Sequence, residues 1–282
     1  MKLMVNFYFC TTIHLPMRKK ILTVLIFISL FCYLPLQSMA WGMLGHRIVG
    51  GIAESYLTAK TRLAIRNILG HESIAMASNW ADFIKSDTSY RYISPWHYVN
   101  FEKDLSYAQM QDYLKKDTAT DAYTKLNFLV KELQKKNLQK DKKVMYLKLL
   151  IHIAEDMSQP LHVSPVGTTG GNDIKLNWFN TPSNLHRVWD EHLIEYQQLS
   201  YTEYIKAINF PTATQLKTWK KQPLAEWLYD SYSQAQKIQA EISGTNPRLS
   251  YEYNYNHVQQ LNEQLLKGGI RLAGLLNRIF DK

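Results

Sequence analysis

Apolar residues recur at steps of three and four through most of the chain after residue 40, which is the spacing of one buried helix face. The clearest stripe lies near the C-terminus and comprises Val258, Leu261, Leu265, Gly269, Leu272, Leu276 and Ile279. Similar patterns predict helices over residues 47–57, 59–69, 74–85, 106–116, 119–137, 142–157, 186–198 and 223–241. Strictly alternating patterns, which would indicate strands, are scarce. The pattern therefore predicts an all-α fold.

One stretch between the predicted helices has a different composition. Residues 164–181 contain Gly167, Gly170 and Gly171, and Pro182 follows at once. Glycine and proline at this density predict a long ordered loop, with room for a short hairpin. Long loops in compact domains are often functional, so this loop is a candidate part of a site.

The composition supports one globular domain after residue 40. The chain has 282 residues, of which 46% are hydrophobic, and this is enough for a sizeable core. No tandem repeat, low-complexity block or flexible linker divides residues 41–282. We therefore expect this range to form a single mostly helical domain with one long irregular loop region.

The first 40 residues have the pattern of a targeting segment. Basic residues at 18–20 precede an apolar run of 14 residues at 21–34, and small residues end the segment at Ala40. This is the order of a secretory signal peptide, and the run is shorter than the ~20 residues that span a bilayer. We predict a leader and signal peptide over residues 1–40, with Met17 as the true start and cleavage before Trp41. The mature protein would be exported, and so periplasmic or secreted.

The cysteines add to this expectation. Cys10 and Cys32 both precede the predicted cleavage site, so the mature chain has no cysteine. An exported protein without disulfides must be stabilised by its core or by metal. A bacterial envelope or secreted protein fits this pattern best.

The charge balance is mildly basic. Four of the 33 basic residues and none of the 24 acidic residues precede residue 41, which leaves 29 against 24, a net charge of about +5. Such an excess suits an anionic substrate without identifying one.

Histidine and aspartate recur four positions apart at two places. His152 and Asp156 share one face of a predicted helix, as do His186 and Asp190, and His162 follows the first pair just beyond a proline stop. One such pair is more often a surface or packing contact than a metal site. Several such groups in a mature chain without thiols favour a metal, and imidazole with carboxylate suits zinc.

Five motifs in chain order resemble those of the zinc-dependent single-strand-specific nucleases and 3'-nucleotidases of the mung bean nuclease type, which share a fold with zinc phospholipase C. They are WGxxGH at 41–46, NWAD at 79–82, WHYVN at 96–100, HxxxDxxQPLH at 152–162 and NLHxxWD at 184–190. The resemblance covers residues 41–190 by motif and extends to the C-terminus by helical pattern.

The resemblance implies three zinc ions. The first would be held by Asp82, His97, His152 and Asp156, the second by Trp41, His46 and the bridging Asp156, and the third by His162, His186 and Asp190. Trp41 would bind through its carbonyl oxygen and its α-amino nitrogen, and only cleavage before Trp41 frees that amine. The implied activity is hydrolysis of single-stranded DNA, RNA and 3'-nucleotides to 5'-phosphate ends, by a monomer without stable membrane association.

The resemblance also implies residues around the metals. Lys85 stands where many relatives carry arginine near the phosphate; lysine keeps the charge but not the bidentate geometry, and a solvated helix cation is the alternative. Asn100 stands where eukaryotic members carry an acidic residue that orients water, and asparagine cannot act as a base. Asn172 resembles a catalytic residue of the active-site loop. Tyr98 and Thr168 lie where relatives form a base pocket, although Tyr98 could instead pack in the core.

Two other functions stay open. The first is a zinc phospholipase C, whose members usually have a longer insertion after the first tryptophan and end the second His pair in glutamate. Here His46 follows Trp41 by five positions and the pair ends in Asp190, so we favour the nuclease. The second is a relative that holds zinc or nucleic acid without catalysis.

The central motif departs from the family pattern at two positions. Glu155 and Ser158 replace the commoner glycine and histidine. Neither is a ligand position, so we expect only local effects from them.

Overall fold

The structure, a computed structural model, describes residues 41–281, and these lie within one compact unit. The predicted leader over residues 1–40, with Met17, Cys10 and Cys32, lies outside the described residues. Within them, no helix has the length and apolar character needed to cross a membrane.

The first part of the described chain is helical apart from one short strand. Its elements are α1 Met43–Ser55, α2 Ala59–Leu69, α3 Ile74–Ala77, α4 Trp80–Ile84, a 3₁₀ helix Thr88–His97, β1 Val99–Phe101, α5 Tyr107–Lys116, α6 Ala122–Leu133 and α7 Lys140–Asp156. Side-chain capping boxes fix two of the starts: Ser106 with Gln109 at α5, and Asp121 with Thr124 at α6.

The second part contains the remaining strands and the longest helix. Its elements are a 3₁₀ helix Pro160–His162, β2 Val163–Pro165, a 3₁₀ turn Thr169–Gly171, β3 Lys175–Trp178, β4 Thr181–Asn184, α8 Leu185–Arg187, a π-helical turn Val188–His192, α9 Leu193–Glu195, α10 Tyr201–Ile208, α11 Ala213–Trp219, α12 Leu224–Ala240, β5 Arg248–Leu249 and α13 Tyr251–Phe280. Strand β1 pairs with β2 in parallel, and β3 pairs with β4 antiparallel and with β5 in parallel.

Helix α7 lies in the interior, and its last turns are buried on every side. All residues from Leu149 to Asp156 are buried. A helix that is buried all round is normally apolar, so the His152 and Asp156 side chains at its C-terminal end require polar partners there. Helices α1 and α13 cross closely beside α7. The approach is close enough that a Cβ on Gly269 of α13 would lie 2.5 Å from Ile52 Cγ2 of α1. The packing of these helices fixes the polar end of α7 inside the protein.

The all-α expectation is confirmed, since helices dominate and the strands are short. The expected hairpin in the long loop is formed by β3 and β4. The helix predicted over 74–85 is divided into α3 and α4 at Ser78, whose hydroxyl donates to the Ile74 carbonyl oxygen four residues earlier. Such a bond competes with regular helical geometry and favours a bend.

Three helical segments of more than three residues lie outside the predicted helices. The 3₁₀ helix Thr88–His97 has a three-residue repeat that the α-helical spacing does not match. Helices α10 and α11 have only eight and seven residues, too few for a clear apolar stripe. Both begin with a capping box, Ser200 with Glu203 and Thr212 with Gln215, and this is the sequence signal that could have located them.

Candidate metal centre

Side chains from several segments meet at the C-terminal end of α7. This helix contributes His152 and Asp156 from one face, and the 3₁₀ helix after Pro160 contributes His162. The others are His46 from α1, Asp82 from α4, His97 from the first 3₁₀ helix, His186 from α8 and Asp190 from the π-helical turn. All eight are buried, with at most 8% of each residue exposed. The structure thus brings together every predicted side-chain ligand.

These side chains form three groups whose possible ligand atoms lie within 4.8 Å of one another. The groups are Asp82, His97 and His152; His46, His152 and Asp156; and His162, His186 and Asp190. In the third, His186 Nε2 lies 3.0 Å from Asp190 Oδ2 and His162 Nε2 lies 3.9 Å from Asp190 Oδ1. The third group has the members expected from the sequence. In the first two groups His152 belongs to both, and Asp156, expected in both, belongs only to the second.

Asp156 lies between the first two groups. Its Oδ2 is 3.1 Å from His97 Nδ1 and 3.4 Å from His152 Nε2. Its Oδ1 is 3.5 Å from His46 Nε2. One carboxylate therefore presents an oxygen to each group, the arrangement needed to bridge two cations.

Backbone carbonyls fix the orientation of three histidines. The pairs are His152 Nδ1 with Ser78 O at 2.6 Å, His162 Nδ1 with His97 O at 2.7 Å, and His186 Nδ1 with Gly170 O at 2.7 Å. A carbonyl oxygen can only accept, so Nδ1 carries the proton and Nε2 of the neutral ring keeps its lone pair. In each case Nε2 faces the group, as in histidines that bind metal.

Several atoms inside the groups lack a hydrogen-bond partner. They are His46 Nε2, Asp82 Oδ2, Asp156 Oδ1, His162 Nε2 and His186 Nε2. Buried polar atoms almost always have partners, so a cluster of unpaired acceptors is costly unless a cation binds there. The donors are imidazole nitrogens and carboxylate oxygens, which suit zinc. The residues present therefore fit the metal that the sequence implies.

The pKa shifts of three imidazoles agree with this chemistry. Burial, with nearby cationic or imidazole groups, holds the pKa of His46, His97 and His162 well below the usual range, so these rings are neutral. His186 differs: burial lowers its pKa, but the adjacent Asp190 carboxylate outweighs burial and the net shift is upward. Burial and the nearby Asp82 carboxylate raise the pKa of Asp156. A bound cation would favour the ionised carboxylate and the neutral imidazole alike.

Trp41 is buried and contacts Glu155 and Ser158, which are close neighbours of Asp156 in the chain. Its indole Nε1 lies 3.1 Å from both Glu155 O and Ser158 Oγ and can donate to either. The amide of the next residue, Gly42, donates to Asp190 O at 2.8 Å. These contacts place the start of the predicted mature chain beside residues of the metal centre.

A cavity of ≈ 380 Å³ opens above the metal centre. Among its lining residues are His97 and His186 and four residues predicted to act on substrate: Lys85, Tyr98, Asn100 and Asn172. Lys85 Nζ also contacts Asp82 Oδ1 at 2.6 Å. Tyr98 is 43% exposed, which places it at the rim and not in the core.

Thr168 occupies a different position from the other predicted substrate residues. Its hydroxyl donates to Pro165 O at 2.8 Å and accepts from Gln239 Nε2 at 3.3 Å. Of the two neighbouring threonines, the one that lines the cavity is Thr169, with φ at +46°. The backbone turn at Thr169 and Gly170, which the sequence does not specify in detail, decides which threonine faces the cavity.

Three polar residues of the centre are not among the site residues predicted from the sequence. Gln159 donates from Nε2 to Asp190 Oδ1, and Glu155 Oε2 lies 2.6 Å from His46 Nδ1. Ser94 lines the cavity one 3₁₀ turn before His97. Glu155, for which we expect only local effects from the sequence, contacts a candidate ligand directly. Its signal in the sequence is an acidic residue within the buried end of α7, directly before Asp156.

The chain matches the family model S1/P1 Nuclease over residues 41–281. It is 28% identical to Endonuclease 3 of Arabidopsis thaliana over 268 residues, covering 86% of this chain and 90% of that protein. It is also 28% identical to Nuclease S1 of Aspergillus oryzae over 275 residues, covering 85% and 91%. Among solved structures, Alpha Toxin from Clostridium absonum aligns with a TM-score of 0.47 at 16% identity, over 87% of this chain and 66% of the toxin.

The buried His/Asp groups are candidate metal sites, and the family match defines the class of the protein, a nuclease that hydrolyses phosphodiester bonds. The chain belongs to the S1/P1 nuclease family, and its substrates are nucleic acids. The match begins at Trp41, the residue at which the mature chain was predicted to start.

Proposed function

We propose that the mature chain is a zinc-dependent hydrolase of single-stranded DNA, RNA and 3'-nucleotides that leaves 5'-phosphate ends. The observation that carries this proposal is the set of unpaired, buried nitrogen and oxygen atoms that three His/Asp groups turn toward one another beneath the cavity. In this proposal Asp82, His97, His152 and Asp156 hold one zinc ion, Trp41, His46 and Asp156 the second, and His162, His186 and Asp190 the third.

When bound, zinc lowers the pKa of water and neutralises charge on a phosphate ester. The protein's part is to fix the ligands before substrate arrives. The carbonyl bonds from Nδ1 hold three imidazoles in one tautomer, and Asp156 holds two groups side by side. Preorganised groups of this kind need little rearrangement during reaction.

Polar residues on the cavity wall act on the phosphate. Lys85 is tethered to Asp82 and directs a positive charge at the cavity, where it can bind a non-bridging oxygen. Asn172, whose amide donates to Thr169 O at 2.9 Å, fixes the loop and has a second N–H available for substrate. Asn100 can orient water as donor or acceptor but cannot accept a proton as a carboxylate would.

The rim of the cavity can hold a base. Tyr98 is partly exposed there, and a tyrosine face can stack any base for ~1–3 kcal/mol. We assign the neighbouring loop contact to Thr169, with Thr168 supporting it through its bond to Pro165 O. A phosphodiester must reach ligands that are at most 8% exposed. A flexible strand with unstacked bases can enter such a site, whereas a duplex would first have to be distorted.

Export would complete the site. Cleavage before Trp41 would give a free α-amine one residue before Gly42, whose amide donates to Asp190 O. The leader over residues 1–40 would direct the chain to the periplasm or outside the cell, where it would act as a monomer. The relatives compared above are from a plant and a fungus, so they give no support to the bacterial origin suggested by the leader and the missing disulfides.

The test is a substrate panel with purified mature protein. Single-stranded DNA, duplex DNA, RNA, 3'-AMP and phosphatidylcholine are assayed with zinc, with chelator, and with zinc restored after chelation. The proposal predicts turnover of the single strands and of 3'-AMP that disappears with chelator and returns with zinc. Turnover of the lipid alone would establish the phospholipase alternative, and equal cleavage of duplex and single strands would overturn the strand preference.

A further inference from the structure

His46 differs from the other histidines that present Nε2 to the metal centre. His152, His162 and His186 each donate Nδ1–H to a backbone carbonyl, which no side-chain substitution removes. The Nδ1 of His46 instead lies 2.6 Å from Oε2 of Glu155. Its orientation therefore depends on one replaceable side chain.

Glu155 is held in place from its other side. Its Oε1 lies 2.7 Å from Ser78 Oγ, which in turn lies 2.8 Å from Ile74 O. Glu155 and Ser78 are both fully buried. The chain of hydrogen bonds runs from the α3 backbone through two side chains to the imidazole of His46.

The surrounding backbone makes room for this chain. A Cβ on Gly50 of α1 would lie 2.4 Å from Ser78 Oγ and 3.1 Å from Glu155 Oε1. Alanine at this position would therefore displace the serine or the glutamate. The peptide carbonyl of Glu155 also lies within reach of the Trp41 indole, at 3.1 Å. Glu155 thus contacts His46 and Trp41, the two residues that are assigned to the second zinc ion together with Asp156.

We infer that Glu155 is a positioning residue for the metal centre, one that holds the His46 imidazole with Nε2 directed at Asp156. Oε2 accepts from Nδ1–H whether the carboxyl is ionised or protonated at Oε1, so the orientation does not depend on its charge. Partners of this kind typically change metal affinity by about 10- to 100-fold when removed. This inference rests on the proposed zinc-dependent function and adds a residue that the ligand set does not contain.

Two substitutions separate the hydrogen bond from the charge. Glu155→Gln keeps both contacts, because its amide oxygen can accept from His46 and its NH₂ can donate to Ser78 while Ser78 donates to Ile74 O. Glu155→Ala removes both. The matched control is Glu54→Ala, which removes a glutamate that accepts from the Ile74 amide at 2.6 Å and is not one of the grouped ligands.

The measurement is zinc content per chain during dialysis against increasing chelator, with the metal-loaded wild-type protein as reference. Glu155→Ala should lose one zinc ion at about 10- to 100-fold lower chelator activity than wild type. Glu155→Gln and Glu54→Ala should retain all three as wild type does. Equal retention by Glu155→Ala, or loss from the glutamine variant as large as that from alanine, would overturn the inference.

A second measurement does not depend on any variant folding. In metal-loaded wild-type protein with ¹⁵N-labelled histidine, long-range proton–nitrogen spectra identify which ring nitrogen carries the proton. We expect the His46 proton on Nδ1; a proton on Nε2 would overturn the inference. If wild-type protein binds no zinc, the proposed function fails, whereas three ions with an unaltered Glu155→Ala titration count against Glu155 alone.

Discussion

Two buried atoms without a hydrogen-bond partner, Oδ1 of Asp156 and Nε2 of His46, lie 3.5 Å apart. Nδ1 of His46, His152, His162 and His186 is bound to a carbonyl or carboxylate oxygen on the far side of each ring, so Nε2 faces inward as an acceptor. Acceptors gathered in this way repel one another unless a cation lies between them. The relationship between these two residues therefore links the packing of α1 and α7 to the proposed chemistry.

Asp156→Asn should nearly abolish hydrolysis. The amide removes the charge that faces two groups at once and presents an N–H to one of them. We expect kcat/KM on single-stranded DNA to fall by more than ~100-fold, the largest loss typical of a residue that only holds a metal ligand in place. Steady-state kinetics and zinc analysis on the same sample check this, and near wild-type values for both would remove the bridging assignment.

An extra residue before Trp41 should inactivate the enzyme. The indole contacts of Trp41 and the Gly42 bond to Asp190 hold this backbone in place, so an added residue turns the ligating amine into an amide that cannot move away. The comparison uses Met-Trp and authentic Trp N-termini, each verified by intact mass. Full activity and zinc content in the extended form would contradict the amino-terminal ligand.

Lys85 should act on substrate binding more than on folding. Its ammonium is 2.6 Å from Asp82 and lines the cavity, and a charge-assisted hydrogen bond contributes about 1.5–3 kcal/mol. Lys85→Met should therefore lower kcat/KM for 3'-AMP by about 10- to 100-fold. Lys85→Arg should retain most of it. Equal losses in the two variants would argue against a role for the charge.

A stability prediction concerns a charge cluster outside the metal centre. Asp230 Oδ2 lies 2.9 Å from Lys267 Nζ and 3.1 Å from Arg271, two cations that are at most 9% exposed. Asp230→Asn leaves both without their shared counter-ion and should lower the free energy of unfolding by about 2–3 kcal/mol at pH 7. Urea unfolding measures the difference, and a loss below about 0.5 kcal/mol, typical of a surface position, would contradict it.

The same cluster predicts a pH dependence. Burial raises the pKa of Asp230, but the nearby Arg271 and Lys267 cations lower it by more. The net pKa therefore lies below its ordinary value. A lowered carboxyl pKa stabilises the fold above the unfolded pKa of about 3.9, and this contribution is lost as the pH falls through the folded pKa. The difference between wild type and Asp230→Asn should stay constant down to about pH 4 and narrow below it. A stability difference between the two proteins that grows as the pH falls would contradict this prediction.

The helices and the candidate ligands could be predicted from the sequence, because the first follow from the periodicity of apolar residues and the second from the spacing of His and Asp. The spacing of apolar residues along α7 and α13 located these two helices, and the His152–Asp156 and His186–Asp190 steps placed candidate ligands on helix faces. Single residues that alter local geometry were harder to foresee. Ser78 divides one predicted helix, and the positive φ of Thr169 brings this residue to the cavity in place of Thr168. The Glu155 contact with His46 joins residues 109 positions apart, a distance over which local patterns carry no information.

The most direct test of the account is the zinc content of the purified mature protein, measured by elemental analysis on a sample whose first residue is verified as Trp41. The account predicts three zinc ions per chain, lost together with nuclease activity on chelation and restored with it. Full hydrolysis of single-stranded DNA by protein that contains no zinc would contradict it.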